Sequence, residues 1–383
     1  MTSSTECPRF LAPGLTAQPL AVGCRAIGGL SVQDGVPVRC STSSDDVALE
    51  GLRTAVSTGA NLFDTADSFG LGHSERLLGR LVAEVGRSSV LLSSKAGQVR
   101  GTAPHPYAGP SLRHRLEQTL DNLDTEYVDL YSLHTLDFGR EDRYLHVAIE
   151  QLRAFRDVGC VRAIGMPGPP SPEGAGGPGN AAVSDRQARF RQIFGLLRPD
   201  VLWTSCSPLA EPPHVAGEPL AAFAARHGIA LLLTEPLAQG LITGKYTPKC
   251  RPRFAPGDQR RSSPLFGTSA LRVIDEELAA LRARFGPGPD DMARVALGFA
   301  LQQGDHTVVA AGFSSPCQVA VNHSLGPILT AQEMACVAGA YGRIRRRLHE
   351  VIHGQGRRRL PSGDALQGHG VKDIPPVGSG RAP

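Results

Sequence analysis

Three polar residues, Asp64, Lys95 and His134, each lie at the end of a short apolar run: Asn61–Asp64, Val90–Lys95 and Val128–His134. A carboxylate beside an ammonium in a partly dry setting, with an imidazole nearby, can polarise a carbonyl or shift the pKa of a neighbouring proton donor. Singly, each has an ordinary explanation: a helix cap for Asp64, a core histidine for His134, a surface cation for Lys95. At successive run ends they describe one site. Lysine usage adds weight, because of 40 basic residues only Lys95, Lys245, Lys249 and Lys372 are lysine. The rest are Arg, which stays charged, whereas a buried Lys can tune its pKa.

The elements that must position these residues follow a rhythm. Further runs of strand type lie at Leu20–Gly23, Val161–Gly165, Asp200–Thr204, Ile229–Thr234 and Thr307–Ala311. Amphipathic stretches alternate with the runs, at Asp45–Thr58, Ser74–Glu84, Ser111–Leu123, Arg143–Val158, Ser184–Leu197, Pro219–His227 and Asp290–Gln303. Eight strands alternating with helices predict an α/β chain folded as a (β/α)8 TIM barrel, with the strand ends gathered at one mouth. An open doubly wound sheet would need a GxGxxG turn after its first strand, and Gly23–Gly29 does not supply one.

Residues 1–350 are assigned to the barrel, with an extra helix near Thr268–Phe285, and 351–383 to a polar, disordered C-terminal tail. In Pro167–Asn180 ten of fourteen residues are Gly or Pro, which predicts a flexible loop after the fifth strand. Pro236–Gly267 is a second long loop, after the seventh strand, and long loops at this face usually shape a pocket.

The 383 residues are 41% hydrophobic, enough for a large core. A net charge of +4 gives no argument for a nucleic-acid partner. No stretch approaches the roughly 20 apolar residues of a membrane span, and Met1–Phe10 carries no signal-peptide pattern, so a cytoplasmic chain is expected. None of the eight cysteines forms a CxxC pair or lies near a His at ligand spacing, so reduced thiols and no metal are expected. Arg345–Arg347 and Arg357–Arg359 could touch an acidic partner, but a solvated helix end and tail is the better explanation. Oligomeric state is not legible.

Longer motifs surround the three run ends. They are Phe63-Asp64-Thr65-Ala66, Phe69-Gly70-Leu71-Gly72-His73-Ser74-Glu75, Ser94-Lys95-Ala96-Gly97 and Tyr127-Val128-Asp129-Leu130-Tyr131 leading to His134. Gly159-Cys160-Val161-Arg162-Ala163-Ile164-Gly165, Pro236-Leu237-Ala238-Gln239-Gly240-Leu241 and Thr243-Gly244-Lys245-Tyr246 follow, and Gly312, Gln318 and Asn322 close the series. In this order, from about Leu20 to Asn322, the chain resembles the aldo-keto reductase superfamily.

The resemblance implies a barrel that binds NADP(H) and reduces a carbonyl by hydride transfer, with Asp64, Lys95 and His134 catalytic. It implies cofactor contacts at Gly23, Pro236, Leu237, Gly240, Gly312, Ser314, Gln318 and Asn322, and a substrate pocket shaped by Arg25, Phe69, Tyr107 and Trp203. The family pattern also breaks. Phe69 stands where the acid Tyr is expected, and removing a positioned general acid typically costs about 10²–10⁴-fold in rate. Pro167-Gly168 replaces the Ser-Asn pair that holds the nicotinamide amide, while Trp203 and Cys206 align with its Gln and stacking Tyr. Glu235 precedes Pro236 where a small residue is usual, and its charge would repel phosphate unless it turns away. Ser314 stands where many members place an Arg, and Val321 where a Glu is expected.

Three readings follow. The first, ranked ahead, is an NADP(H)-dependent reductase of a small carbonyl compound, such as a keto-sugar or another natural-product intermediate, with a proton from His134, water or Tyr107. The second is a non-redox dehydratase, lyase, epimerase or cyclase using Lys95 and His134, with weak or no NADP(H) use. The third is a non-catalytic relative, against which three idle buried polar groups weigh.

Overall fold

The computed structural model describes residues 7–33, 36–39, 43–169, 180–324, 326 and 328–354. Most of the Gly/Pro-rich segment, 170–179, and residues 355–383 of the expected tail lie outside the described residues.

All eight expected strands form. They are β1 (Leu20–Gly23), β2 (Leu62–Asp64), β3 (Leu91–Ala96), β4 (Val128–Leu133), β5 (Val161–Pro167), β6 (Val201–Ser205), β7 (Ala230–Thr234) and β8 (Thr307–Gly312). They pair in parallel in chain order and close where β8 meets β1, with Gly312 beside Gly23. Parallel strands enclosed by helices are buried on both faces, which explains the near-continuous apolar runs. Every residue of β2 and β4 is buried.

Inside the barrel, Leu62, Leu130, Ala163, Val201, Ala230, Leu232 and Val308 pack with Leu11 and Leu15. The last two come from an unanticipated hairpin, Arg9–Ala12 paired with Leu15–Ala17, which plugs the end opposite the mouth. Its turn is Pro13-Gly14, where Gly14 takes φ +71°, the left-handed backbone that glycine adopts without a Cβ penalty. Arg9 fastens the hairpin to the turn between α8 and β8, donating to the carbonyls of Gly304 at 2.5 Å and Leu301 at 3.4 Å.

The outer layer comprises α1 (Asp45–Ser57), α2 (His73–Val85), α3 (Gly109–Leu123), α4 (Leu145–Asp157), α5 (Asn180–Leu197), α6 (Leu220–Arg226), α7 (Thr268–Phe285), α8 (Pro289–Leu301), α9 (Pro316–His323) and α10 (Ala331–Gly354). The expected amphipathic stretches match these within a few residues; α9 was not anticipated, and of α10 only a helix end at Arg345–Arg347 was. A separate apolar cluster joins the loop after β7 to α7, α8 and α10 through Leu241, Ile242, Phe266, Leu271, Ile274, Met292, Tyr341 and Ile344. The Pro236–Gly267 segment is therefore clamped by its own core. Val351 and Ile352, assigned above to the tail, belong to α10 and pack against that cluster. The arginine run on α10 finds its acids at home: Arg343 and Arg347 pair with Glu277, Arg347 also with Glu276, and Arg345 with Glu211. No helix among the described residues is long and apolar enough to cross a membrane.

Leu11 is wholly buried in the barrel floor. Replacing it with Ala should cost about 2–5 kcal/mol, the range for a buried Leu→Ala cavity. Denaturant unfolding of Leu11→Ala should show this as a lower midpoint, and an unchanged midpoint would mean the hairpin does not seal the barrel.

Candidate active site

The carboxyl ends of β2, β3 and β4 bring Asp64, Lys95 and His134 together. Lys95 Nζ donates to Asp64 Oδ1 at 2.5 Å and to the Thr65 carbonyl at 2.9 Å, and Ser93 Oγ donates to the same Asp64 oxygen at 2.8 Å. The two charged side chains are 3% and 5% exposed, so the pair is almost fully desolvated. Two of the three ammonium hydrogens are engaged. The remaining side of Lys95 faces aromatic rings: Nζ lies 5.9 Å from the centroid of Phe69 and 5.5 Å from that of Trp203.

His134 sits between those rings, edge-on to both, at 6.1 Å from Phe69 and 5.6 Å from Trp203. Its Nδ1 is sealed from solvent and has no hydrogen-bond partner. Burial, then the Lys95 and Arg25 charges, push its pKa down to about 3, so the imidazole is neutral. Trp203 is fixed by donating Nε1–H to the Leu133 carbonyl at 3.0 Å. Phe69 is fixed by its neighbours, since a Cβ on Gly70 would lie 1.7 Å from the Gly28 carbonyl oxygen. Only a glycine lets the Phe69 loop rest on the turn after β1.

Beneath the site runs a polar layer whose roles the sequence reading did not assign. Glu75 of α2 is fully buried and accepts from Ser94 Oγ at 2.7 Å, Thr119 Oγ1 at 2.9 Å and Asn122 Nδ2 at 2.9 Å. Ser74 accepts from Thr65 Oγ1 and donates to the Cys24 carbonyl, which ties α2 to the ends of β1 and β2. Asp67 is buried with both carboxyl oxygens unpartnered, and burial together with the Glu75 charge raises its pKa to about 8. The signal was the Ser74-Glu75 pair within a quoted motif, but apolar periodicity gives no account of buried polar groups.

Tyr107 requires a correction. The structure removes it from the pocket and from the candidate proton donors. It is wholly buried, and its hydroxyl faces the Thr135 carbonyl at 2.8 Å and the Ala96 carbonyl at 3.2 Å while accepting from the Thr135 N–H at 3.1 Å. Burial raises its pKa to about 12. It is a strut between the β3 and β4 ends.

The residues that the resemblance assigns to a cofactor line the ends of β7, β8 and β1. Gly23 and Gly312 are register partners and leave a floor without side chains. Ser314 donates its N–H and hydroxyl to Gln318 Oε1 at 2.8 and 3.0 Å, and buried Asn322 donates to the Gly312 carbonyl at 3.4 Å. After buried Pro236 and half-buried Leu237, three successive left-handed residues, Ala238, Gln239 and Gly240, turn the loop. Lys245 lies across that turn, for a Cβ on Gly240 would sit 2.5 Å from its Cε. Arg25 is exposed at the mouth and ion-paired with Glu235 at 3.3 Å, and Ser205 Oγ donates to the other Glu235 oxygen at 3.1 Å. Cys206 Sγ is 3.2 Å from the Thr234 carbonyl. Pro167 offers no hydrogen-bond donor, and the Gly168 N–H is already bonded to the Trp203 carbonyl at 2.8 Å. Bare backbone, hydroxyls and the Arg25 and Lys245 cations are groups a dinucleotide's phosphates would meet here, with the Glu235 carboxylate neutralised by Arg25. The nicotinamide end lacks side-chain partners for the amide at Pro167 and Gly168.

The aldo/keto reductase family profile matches residues 26–340. An uncharacterized oxidoreductase of Mycobacterium tuberculosis is 34% identical over 233 residues, 61% of this chain and 62% of its own. The match thus spans less than two thirds of that relative's length. The NADH-specific methylglyoxal reductase of Escherichia coli is 25% identical over 323 residues, 80% of this chain and 89% of its own. The structure of a glycerol dehydrogenase from Gluconobacter oxydans superposes with a TM-score of 0.67 at 23% identity, covering 89% of this chain and 96% of that one. At that identity the likeness is one of fold.

Asp67 sets a pH dependence of stability. Its carboxyl holds a proton up to about pH 8 in the folded chain and releases it near 3.8 when unfolded. Across that window the folded state binds more protons, so stability falls as pH rises from about 4 to 8. Asp67→Asn should remove part of that decline, gaining on the native chain at pH 8 relative to pH 5 in thermal unfolding. An equal difference at both pH values would contradict a neutral buried carboxyl.

Proposed function

This chain belongs to the aldo/keto reductase family of oxidoreductases, and from that premise we propose that it reduces the carbonyl of a small molecule with NADP(H), without a tyrosine acid. The observation that carries the reading is the one face of Lys95 Nζ left without a protein acceptor, turned toward Phe69 and Trp203 beside His134. Gly23, Pro236, Leu237, Gly240, Gly312, Ser314, Gln318 and Asn322 would hold the dinucleotide, and the bound cofactor supplies the hydride.

The chain's own residues handle the oxygen. A buried imidazole with no partner at Nδ1 is best satisfied with its proton on Nε2, and we assign that tautomer to His134. Its Nε2–H and the third Lys95 N–H then grip the carbonyl oxygen and stabilise the charge that develops there. Lys95 passes one proton to that oxygen, leaving a neutral amine that water reprotonates once the product has left and the mouth is open. Asp64 keeps the ammonium in place. The aromatic walls exclude water and strengthen these contacts. The substrate class this suits is a small, hydroxylated or acidic carbonyl compound, such as a keto-sugar or natural-product intermediate.

The non-redox reading needs a base at His134 or Lys95. A base works best with a pKa near the operating pH. His134 is pushed down to about 3, and Lys95 already donates two hydrogens to Asp64 and Thr65. Neither is poised to remove a proton, so the geometry favours reduction.

Titration of the purified chain with NADPH, and in parallel with NADH, tests the cofactor; no binding of either at millimolar concentration would sink the proposal. Phe69→Tyr should raise turnover of a model carbonyl by about 10²-fold or more, the typical value of a positioned general acid. Lys95→Met should abolish turnover while leaving NADPH bound. Full turnover by Lys95→Met would move the oxygen-binding role elsewhere.

A further inference from the structure

At the cofactor end, one contact crosses the groove. Arg25 is two residues beyond the end of β1, and Glu235 is the first residue after β7, so the pair at 3.3 Å bridges over the end of β8. The last residues of β8 under the bridge are Ala310, Ala311 and Gly312, none larger than a methyl side chain, and Gly23 stands beside Gly312. The result is a shallow trough with a backbone floor and an ion pair as its roof. Glu235 holds φ +59°, a left-handed backbone that carboxylate residues rarely take, and Ser205 fixes its second oxygen. Both side chains are substantially exposed, at 48% and 36%, so the pair opens easily.

A carboxylate across a trough that receives a diphosphate is a like charge in the path of the ligand. The arginine paired with it is the opposite charge. We propose that Arg25 exchanges partners, held by Glu235 in the free chain and gripping the dinucleotide's diphosphate in the bound one, so that Glu235 competes with the cofactor for the same guanidinium. Arg25 is then a cofactor ligand and not only a pocket wall, and Glu235 is a built-in brake on affinity. The guanidinium fork suits the exchange, because it binds carboxylate and phosphate oxygens with the same planar geometry. This inference rests on the dinucleotide reading above.

The test is NADPH binding by the full chain, followed by fluorescence or calorimetry, for the native protein, Glu235→Gln, Arg25→Ala and the double variant. Glu235→Gln should tighten NADPH by about fivefold or more, the size of an exposed ion pair's competition. Arg25→Ala should weaken it by about tenfold in the native background and, decisively, also in the Glu235→Gln background. Glu235→Gln that leaves the dissociation constant unchanged or larger overturns the brake. An Arg25→Ala effect that vanishes once Glu235 is Gln overturns Arg25 as a phosphate ligand, since its role would then be only to neutralise Glu235. If no variant binds NADPH at all, the dinucleotide reading itself fails and the exchange falls with it, a result distinct from NADPH bound with unaltered affinity.

Discussion

Lys95 and Asp64 put two opposite charges 2.5 Å apart in a place almost closed to water. Removing each ion from solvent costs several kcal/mol, and their attraction offsets this only with good geometry and further hydrogen bonds. The mouth of the barrel is arranged to meet that condition. Ser93 and the Thr65 carbonyl supply the extra contacts, and both depend on the register that sets Asp64 opposite Ser93. A one-residue slip between β2 and β3 would turn Lys95 to the opposite face and strand Asp64. Helix α2 and Glu75 then hold β3 from behind through Ser94, so the ion pair, the strand register and the buried polar layer stand or fall together.

Phe69 changes what the pair can do without disturbing how it is held. A phenyl ring fills the space of a phenol and presents its face within cation–π reach of the ammonium, but it passes no proton. With Trp203 on the other side, the charge of Lys95 is walled by rings on two flanks. A ligand oxygen entering between them meets the ammonium itself, where a tyrosine would have stood between the two. The neutral His134 beside it adds a donor without adding charge.

The barrel was readable because each buried parallel strand leaves a run of apolar residues, and the strand ends were readable because their residue types are unusual there. The gathering of Asp64, Lys95 and His134 follows from that rhythm alone. The hairpin at Arg9–Ala17 was missed: its strands are only four and three residues long, and what makes them structural is the cavity they fill, a property of the closed barrel. Tyr107 was misread for a related reason. Its place in a loop suggested the mouth, but its hydroxyl matches two strand-end carbonyls that lie far apart in sequence. Helix α10 is rich in Arg, which hid its amphipathic face, while the acids that neutralise it belong to α7 and to the loop after β6. The turned carboxylate of Glu235 depends on Arg25, 210 positions away.

The plug at the barrel floor bears on how the chain can be assembled. Arg9 bonds Gly304 across 295 positions, and Gly23 pairs with Gly312, so the hairpin that forms the floor has no resting place until β8 has joined the ring. Contacts of such long sequence separation are slow to form because the loop entropy must be met before they yield anything. Closure of the ring and seating of the floor are therefore one late event, and until it occurs Leu11 and Leu15 remain apolar surface in search of a cavity. The hairpin and the closing strand reach their places together or not at all.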